Sequence, residues 1–341
     1  MELDPEIRAF AEESDRLFGP DYGLLPVVEQ RRLYNAWCQH FSAPAPADVV
    51  STELYLPGSD GAVRVRLFKP REVSQPLPVI LFCHGGGWIL GSPETHAMAT
   101  SEMVRRTGAA VLSVDYRLAP EHPFPAAFDD AYDVLLWAAR SGAAFGLDPS
   151  RIAVCGDSAG GNLSAAVALA ARDRAKESGA KESSGGPKIA LQALIYPALK
   201  AARRQPVVED QGGGSEASTS SYVKSYAGGS DKVAALARNP YAMPLAAADF
   251  RNLPPAYIAA AGIDAVLEDA HDYAAALKAA GVPVTISVAE SLPHSYLRTI
   301  HFSRTAAAAF DAICAALRDA LNSTGNTTSS SAMTSTTLMA G

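Results

Sequence analysis

"RIAVCGDSAGGNLSAAVALAA", residues 151–171, is the stretch on which the fold turns. It opens as an apolar run of strand length and closes as an alanine-rich helical run. Between the two lies G-x-S-x-G, as Gly156, Asp157, Ser158, Ala159 and Gly160. A strand, a sharp turn and a helix form the setting in which a serine is held out as a nucleophile. Small residues at 156, 160 and 161 permit that strained turn and close strand–helix packing. The helix start then lies beneath the serine oxygen, where its partial positive charge favours a developing anion. A serine that merely caps a helix is the plainer alternative, and partners elsewhere in the chain distinguish the two.

Outward from this unit the chain alternates. Apolar runs at 77–83 ("LPVILFC"), 109–116, 151–156, 191–197, 254–262 and 282–290 are separated by helical stretches such as "AMATSEMVRRTG" and "AAFDDAYDVLLWAARSG". Several runs are continuously apolar, as expected for strands covered on both faces. The predicted fold is therefore α/β, a mostly parallel, doubly wound sheet with helices on both faces. Residues 1–48 read as two short helices. "VVSTELYLPG" and "AVRVRLFKP" alternate around "GSDG", which is a hairpin signal. The core is expected over 49–199 and 246–321. The Gly/Ser-rich stretch within 200–245 is an excursion from the sheet, and 322–341 reads as a disordered, low-complexity tail.

A serine hydroxyl needs a base, and the base needs an orienting group. Of seven histidines, His294 lies in "AESLPHSYLR", just past the last predicted strand; His301 is its competitor. His40, His96, His122 and His271 sit on helical or proline-rich segments where packing suffices as an explanation. Asp264 follows the strand "PPAYIAAAG", while Glu268 and Asp269 read as a solvated first helical turn. Ser158, Asp264 and His294 thus all fall at carboxyl ends of predicted parallel strands, where open α/β sheets place their ligands. "HGGGWILG" (84–91) also follows a strand end. It lacks the lysine of a phosphate loop. Acyl transfer needs preorganised N–H donors, so the backbone of Gly85 and Gly86, with that of Ala159, is the predicted oxyanion hole.

Composition narrows the classes further. With 341 residues, 48% hydrophobic and 19% charged, the chain can bury a large core. A net charge of −7 argues against a nucleic-acid surface. The scattered cysteines (38, 83, 155 and 314) match neither a zinc site nor a disulfide framework. No run is long enough to span a membrane, and the start has no apolar leader, so the expected location is cytoplasmic.

These residues resemble the hormone-sensitive-lipase-like family of microbial carboxylesterases, of the α/β-hydrolase superfamily. The stretches that carry the resemblance are "HGGGWILGSPETH", "VDYRLAPEHPFPAAFDD", "GDSAGGN", "LIYPAL", "LPPAYI" followed by Asp264, and "GVPV" leading to His294. The resemblance implies a serine hydrolase acting on short- to medium-chain esters through an acyl-enzyme, with no metal and no cofactor. A lactonase or amidase on the same residues, or a non-catalytic receptor on the same fold, are the alternatives. It also implies a helical cap built from residues 1–48 and 200–245, with Trp88, Tyr196, Leu33 and Tyr34 as pocket-lining candidates. The expected partners are a small-molecule ester and, as an assembly, a homodimer. Departures from the family pattern are "DAVLED" at the acid, Ser295 where glycine usually follows the histidine, and a shortened second cap segment, which predicts a more open pocket.

Overall fold

No residue of "LPVILFC" is exposed, because the strand it forms has a parallel neighbour on each side and helices over both faces. The computed structural model describes residues 2–19, 21–177, 186–201 and 216–323. In chain order, α1 (Arg8–Phe18) and α2 (Val27–His40) precede the hairpin β1 (Val49–Gly58) and β2 (Gly61–Pro70). Then follow β3 (Leu77–Cys83), α3 (Ala97–Thr107), β4 (Ala110–Asp115), α4 (Ala126–Ser141), β5 (Leu147–Asp157) and α5 (Ala159–Glu177). After β6 (Ile189–Ile195) come α6 (Glu216–Ala227) and the short α7 (Val233–Leu236). The chain returns through β7 (Ala256–Ile263), α8 (Leu267–Ala279), β8 (Val284–Pro293) and α9 (Arg304–Asn322).

The eight strands form one sheet in the order β1-β2-β4-β3-β5-β6-β7-β8. Pairing is parallel from β4 to β8 and antiparallel at β1–β2 and β2–β4, so the hairpin is the antiparallel edge of a parallel sheet. Helices α3 and α9 pack on one face, and α4, α5 and α8 on the other. The burial of α9 follows its sequence period. Ala306, Phe310, Ile313, Cys314, Leu317 and Leu321 make one buried stripe, and Ser303 caps the helix by accepting from the N–H of Ala306 at 3.1 Å. Strand β5 begins at Leu147, before the predicted Arg151, because Leu147 pairs with Leu77 ahead of a register shift.

Two features carry the fold into chemistry. Register pairs Ile263 with Pro293, so the residues after β7 and β8, Asp264 and His294, leave the sheet side by side. Strand β5 reaches α5 through a single residue, Ser158, whose φ of 55° lies in the left-handed region. The approach is so close that a Cβ on Gly160 would fall inside the van der Waals shell of the Cys83 carbonyl oxygen. Among the described residues no helix is long and apolar enough to cross a membrane. The expected low-complexity tail lies outside the described residues from 324 onward, as does 202–215 of the excursion after β6.

Gly160→Ala must push α5 off β3 and is expected to cost on the order of 3 kcal/mol of stability, the upper range of core overpacking. Urea unfolding measures this, and a midpoint equal to wild type would contradict the close packing described.

Candidate active site

Ser158 is held from both sides. Its N–H donates to the carbonyl of Ile195 at 2.9 Å, and its own carbonyl accepts from Asn162 and Ala198. The left-handed backbone presents Oγ to His294, whose Nε2 stands 2.9 Å away. On the far side of the ring, Nδ1 meets Oδ2 of Asp264 at 2.7 Å. The other oxygen of Asp264 accepts from the N–H of Val266 at 2.9 Å, so "DAVLED" fixes the carboxylate through its own turn. Ser295, in the family's glycine position, has φ 65° and thus keeps the left-handed turn that glycine would make. For a non-glycine residue that conformation costs roughly 1–2 kcal/mol. His301, the competitor, is exposed on the following turn. Asp269 is fully buried rather than solvated: its carboxylate accepts from the N–H groups of Leu199 and Lys200, which holds the loop after β6.

The glycine loop is anchored differently from expectation. The N–H of Gly85 donates to Oδ1 of Asp157 at 2.8 Å and is therefore not a free donor. This corrects its place in the predicted oxyanion set. Gly86 and Gly87 take φ values of 125° and 59°, and the loop closes as the N–H groups of Ile89 and Leu90 return to the carbonyl of Gly86. No acceptor among the described residues takes the N–H groups of Gly86, Gly87 or Ala159. His84 anchors the loop from below. Its Nδ1 donates to the carbonyl of Gly85 at 2.9 Å, and its ring stacks on Tyr116 at 4.2 Å. Burial, with His96 beside it, pushes the His84 imidazole down to about 3. Asp157 is the reverse case: burial would raise it, but His96, Arg298 and the Gly85 N–H outweigh that and hold it at about 2.

The pocket-lining candidates separate. Trp88 is 3% exposed and stacks face to face on Tyr226 of α6 at 4.4 Å, so it ties the glycine loop to α6 instead of lining open space. Tyr196 is equally buried. Its ring lies 4.7 Å from that of His294 and its hydroxyl points to Oδ2 of Asp157 at 3.5 Å, so it underlies the triad rather than the pocket. Tyr34 is part-buried and accepts from Arg298 at 3.1 Å, while Leu33 beside it is half-buried. Tyr222 is the aromatic that sequence reasoning passed over; its ring covers Gly87 so closely that a Cβ there would meet Cδ2 at 2.5 Å. Asp157, His96 and Arg298 were passed over too. Asp157 stands inside the motif, but nothing in the spacing of the other two marks them as its neighbours.

A part-buried serine–imidazole–carboxylate line at the carboxyl ends of β5, β7 and β8 defines a hydrolase class, and the chain belongs to the α/β-hydrolase fold family, whose model matches residues 80–298. It is similar to a carboxylic ester hydrolase, LipN, of Mycobacterium tuberculosis, with 37% identity over 93% of this chain and 82% of that protein. An ethyl acetate hydrolase of Pseudomonas putida is 31% identical over 87% of this chain and 93% of its own length. Among solved structures, a thermostable esterase from Pseudomonas putida superimposes with a TM-score of 0.84 at 28% identity, covering 94% of this chain and 98% of that one.

The buried imidazoles make stability sensitive to acid. Below about pH 6.5 the unfolded chain protonates His84, whereas the folded protein does so only near 3. The unfolded state therefore binds more protons in this window, and stability falls as pH is lowered through it, by up to about 1.4 kcal/mol per pH unit for each such imidazole. His84→Asn should flatten the decline between pH 7 and 5 in urea unfolding; an unaltered slope would show that His84 is not held neutral.

Proposed function

We propose that the protein is a serine carboxylesterase that hydrolyses short- to medium-chain carboxylic esters through an acyl-enzyme. The observation that carries the reading is the continuous line from Asp264 through His294 to Ser158, with contacts of 2.7 and 2.9 Å. Ser158 Oγ attacks the ester carbonyl while His294 Nε2 takes its proton. Asp264 keeps the hydrogen on Nδ1 and stabilises the imidazolium that forms. The carbonyl oxygen, now negative, is held by the N–H groups of Gly86, Gly87 and Ala159, at the start of α5 where the helix dipole adds to the field. His294 returns the proton to the departing alkoxide. Water then repeats the sequence on the acyl-enzyme and releases the acid.

The division of labour along the chain fits this chemistry. Residues 49–199 and 246–321 form the catalytic core, and 1–48 with the described part of the second segment, 216–245, form a cap whose inner wall includes Tyr222 over Gly87 and Tyr22 and Tyr34 beside Ile89 and Leu90. Aromatic rings this close to the glycine loop limit the room beside the reacting carbonyl, which favours short acyl groups over long ones. The similarity to enzymes named for carboxylic esters and for ethyl acetate supports the same substrate class. A complete acid–base line supports turnover over simple ligand binding.

A panel of p-nitrophenyl esters from acetate to palmitate is expected to show turnover that is highest at the short end and abolished in Ser158→Ala. Asp264→Asn should lower kcat by about 10⁴-fold, the loss seen when the orienting acid of such a triad is neutralised. Tight binding of esters without turnover would place the protein among receptors instead.

A further inference from the structure

Four residues past His294, Arg298 lies on the single 3-10 turn Tyr296–Thr299 and is only 6% exposed. A guanidinium so deep is expected to meet a carboxylate directly. This one donates instead to the carbonyl of Thr95, to Oη of Tyr34 at 3.1 Å and to Nε2 of His96 at 3.0 Å. It also stands over the rings of Tyr34 and Trp37 at 5.7 and 5.5 Å. Its contacts thus join three segments: the turn after the base, the loop after the glycines, and α2.

The proton inventory around His96 is closed. Oγ1 of Thr95 gives its one hydrogen to the carbonyl of Ser92 at 2.8 Å, so in its 2.9 Å contact with Nδ1 of His96 it is the acceptor. Nδ1 therefore carries the hydrogen. Nε2 accepts from Arg298, and its 3.3 Å approach to Oδ1 of Asp157 has no hydrogen in it. The charged or titratable groups that face this ring are Asp157, Arg298 and His84, which stacks on it at 5.5 Å. Burial first, and Arg298 second, push the His96 imidazole below its ordinary range.

We propose that Arg298 is a positioning residue for the hydrolytic site: its fork holds His96 as the neutral Nδ1–H tautomer and thereby reserves Oδ1 of Asp157 for the N–H of Gly85. That bond sets the pose of the glycine loop, so the inference rests on reading the loop as the oxyanion site. Without the guanidinium, burial alone opposes protonation of His96 beside Asp157. An Nε2–H then turns to Oδ1 in competition with Gly85, and the loop loses its fixed anchor.

Histidine ¹⁵N NMR of the wild-type protein from pH 5 to 9, with the His96 signals assigned by His96→Asn, reads the tautomer without any turnover. The expected spectrum has a protonated Nδ1 and an unprotonated Nε2 throughout. In Arg298→Met the ring should titrate within this range, and kcat should fall about ten- to a hundredfold, the scale of loss from a small misplacement of catalytic groups, with KM little changed. Arg298→Lys, which keeps the cation but not the fork, should keep His96 neutral and recover part of kcat. An Nε2–H or cationic His96 in the wild type would overturn the proposal, as would wild-type kcat in Arg298→Met or a loss confined to KM. If Arg298→Met does not fold, the wild-type spectrum and the lysine variant decide. A wild type that turns over no ester refutes the proposed function, while the spectrum still tests the Arg298 contact.

Discussion

The carboxylate of Asp157 is buried, ionised and shared between two loops. One oxygen takes the N–H of Gly85, and the other faces the hydroxyl of Tyr196, whose ring lies against His294. A charge at this depth persists only with compensation. The compensation comes from a backbone donor and from the positive field of Arg298. Because Asp157 immediately precedes Ser158, the residue that ends β5 also sets the distance between that serine and the glycine loop. Displacing this one group would disturb the turn, the loop and the bed of the imidazole together.

The rest of the site follows from how a parallel sheet ends. Strands β5, β7 and β8 deliver Ser158, Asp264 and His294 to the carboxyl end of the sheet, and the pairing of Ile263 with Pro293 brings carboxylate and imidazole within a single hydrogen bond. Strain is accepted locally for this: Ser158, Tyr196 and Ser295, all non-glycine, take positive φ. Such conformations cluster where the surroundings over-determine them, and each of these three adjoins the imidazole of His294. Helix α6 adds Tyr226 on Trp88 and Tyr222 on Gly87, so it seats directly on the glycine loop.

The sheet was legible because its strands are continuous apolar runs, and "LPVILFC" coincides with β3 residue for residue. The meeting of Ser158, Asp264 and His294 was legible from chain order and strand ends. What sequence could not supply was the direction of individual N–H groups and hydroxyls. Gly85 has the residue type and place of an oxyanion donor, yet its hydrogen turns to a carboxylate seventy-two positions away (157 − 85). Trp88 and Tyr196 likewise have pocket-like identities, but their rings are claimed by Tyr226 and His294. Arg298 carries no mark in the sequence because burial of a charge depends on partners from α2 and from the loop after β3, which only the fold assembles.

The division of donors between Asp157 and the substrate is the most exposed part of this picture. A crystal structure of the protein inactivated by a short alkyl phosphonate p-nitrophenyl ester tests it directly, because the bound phosphonate oxygen occupies the place of the oxyanion. The expected adduct is on Ser158 Oγ, with that oxygen within hydrogen-bond distance of the N–H groups of Gly86, Gly87 and Ala159 and with Gly85 still bonded to Asp157. An oxygen held by Gly85, or an adduct on another residue, would contradict it.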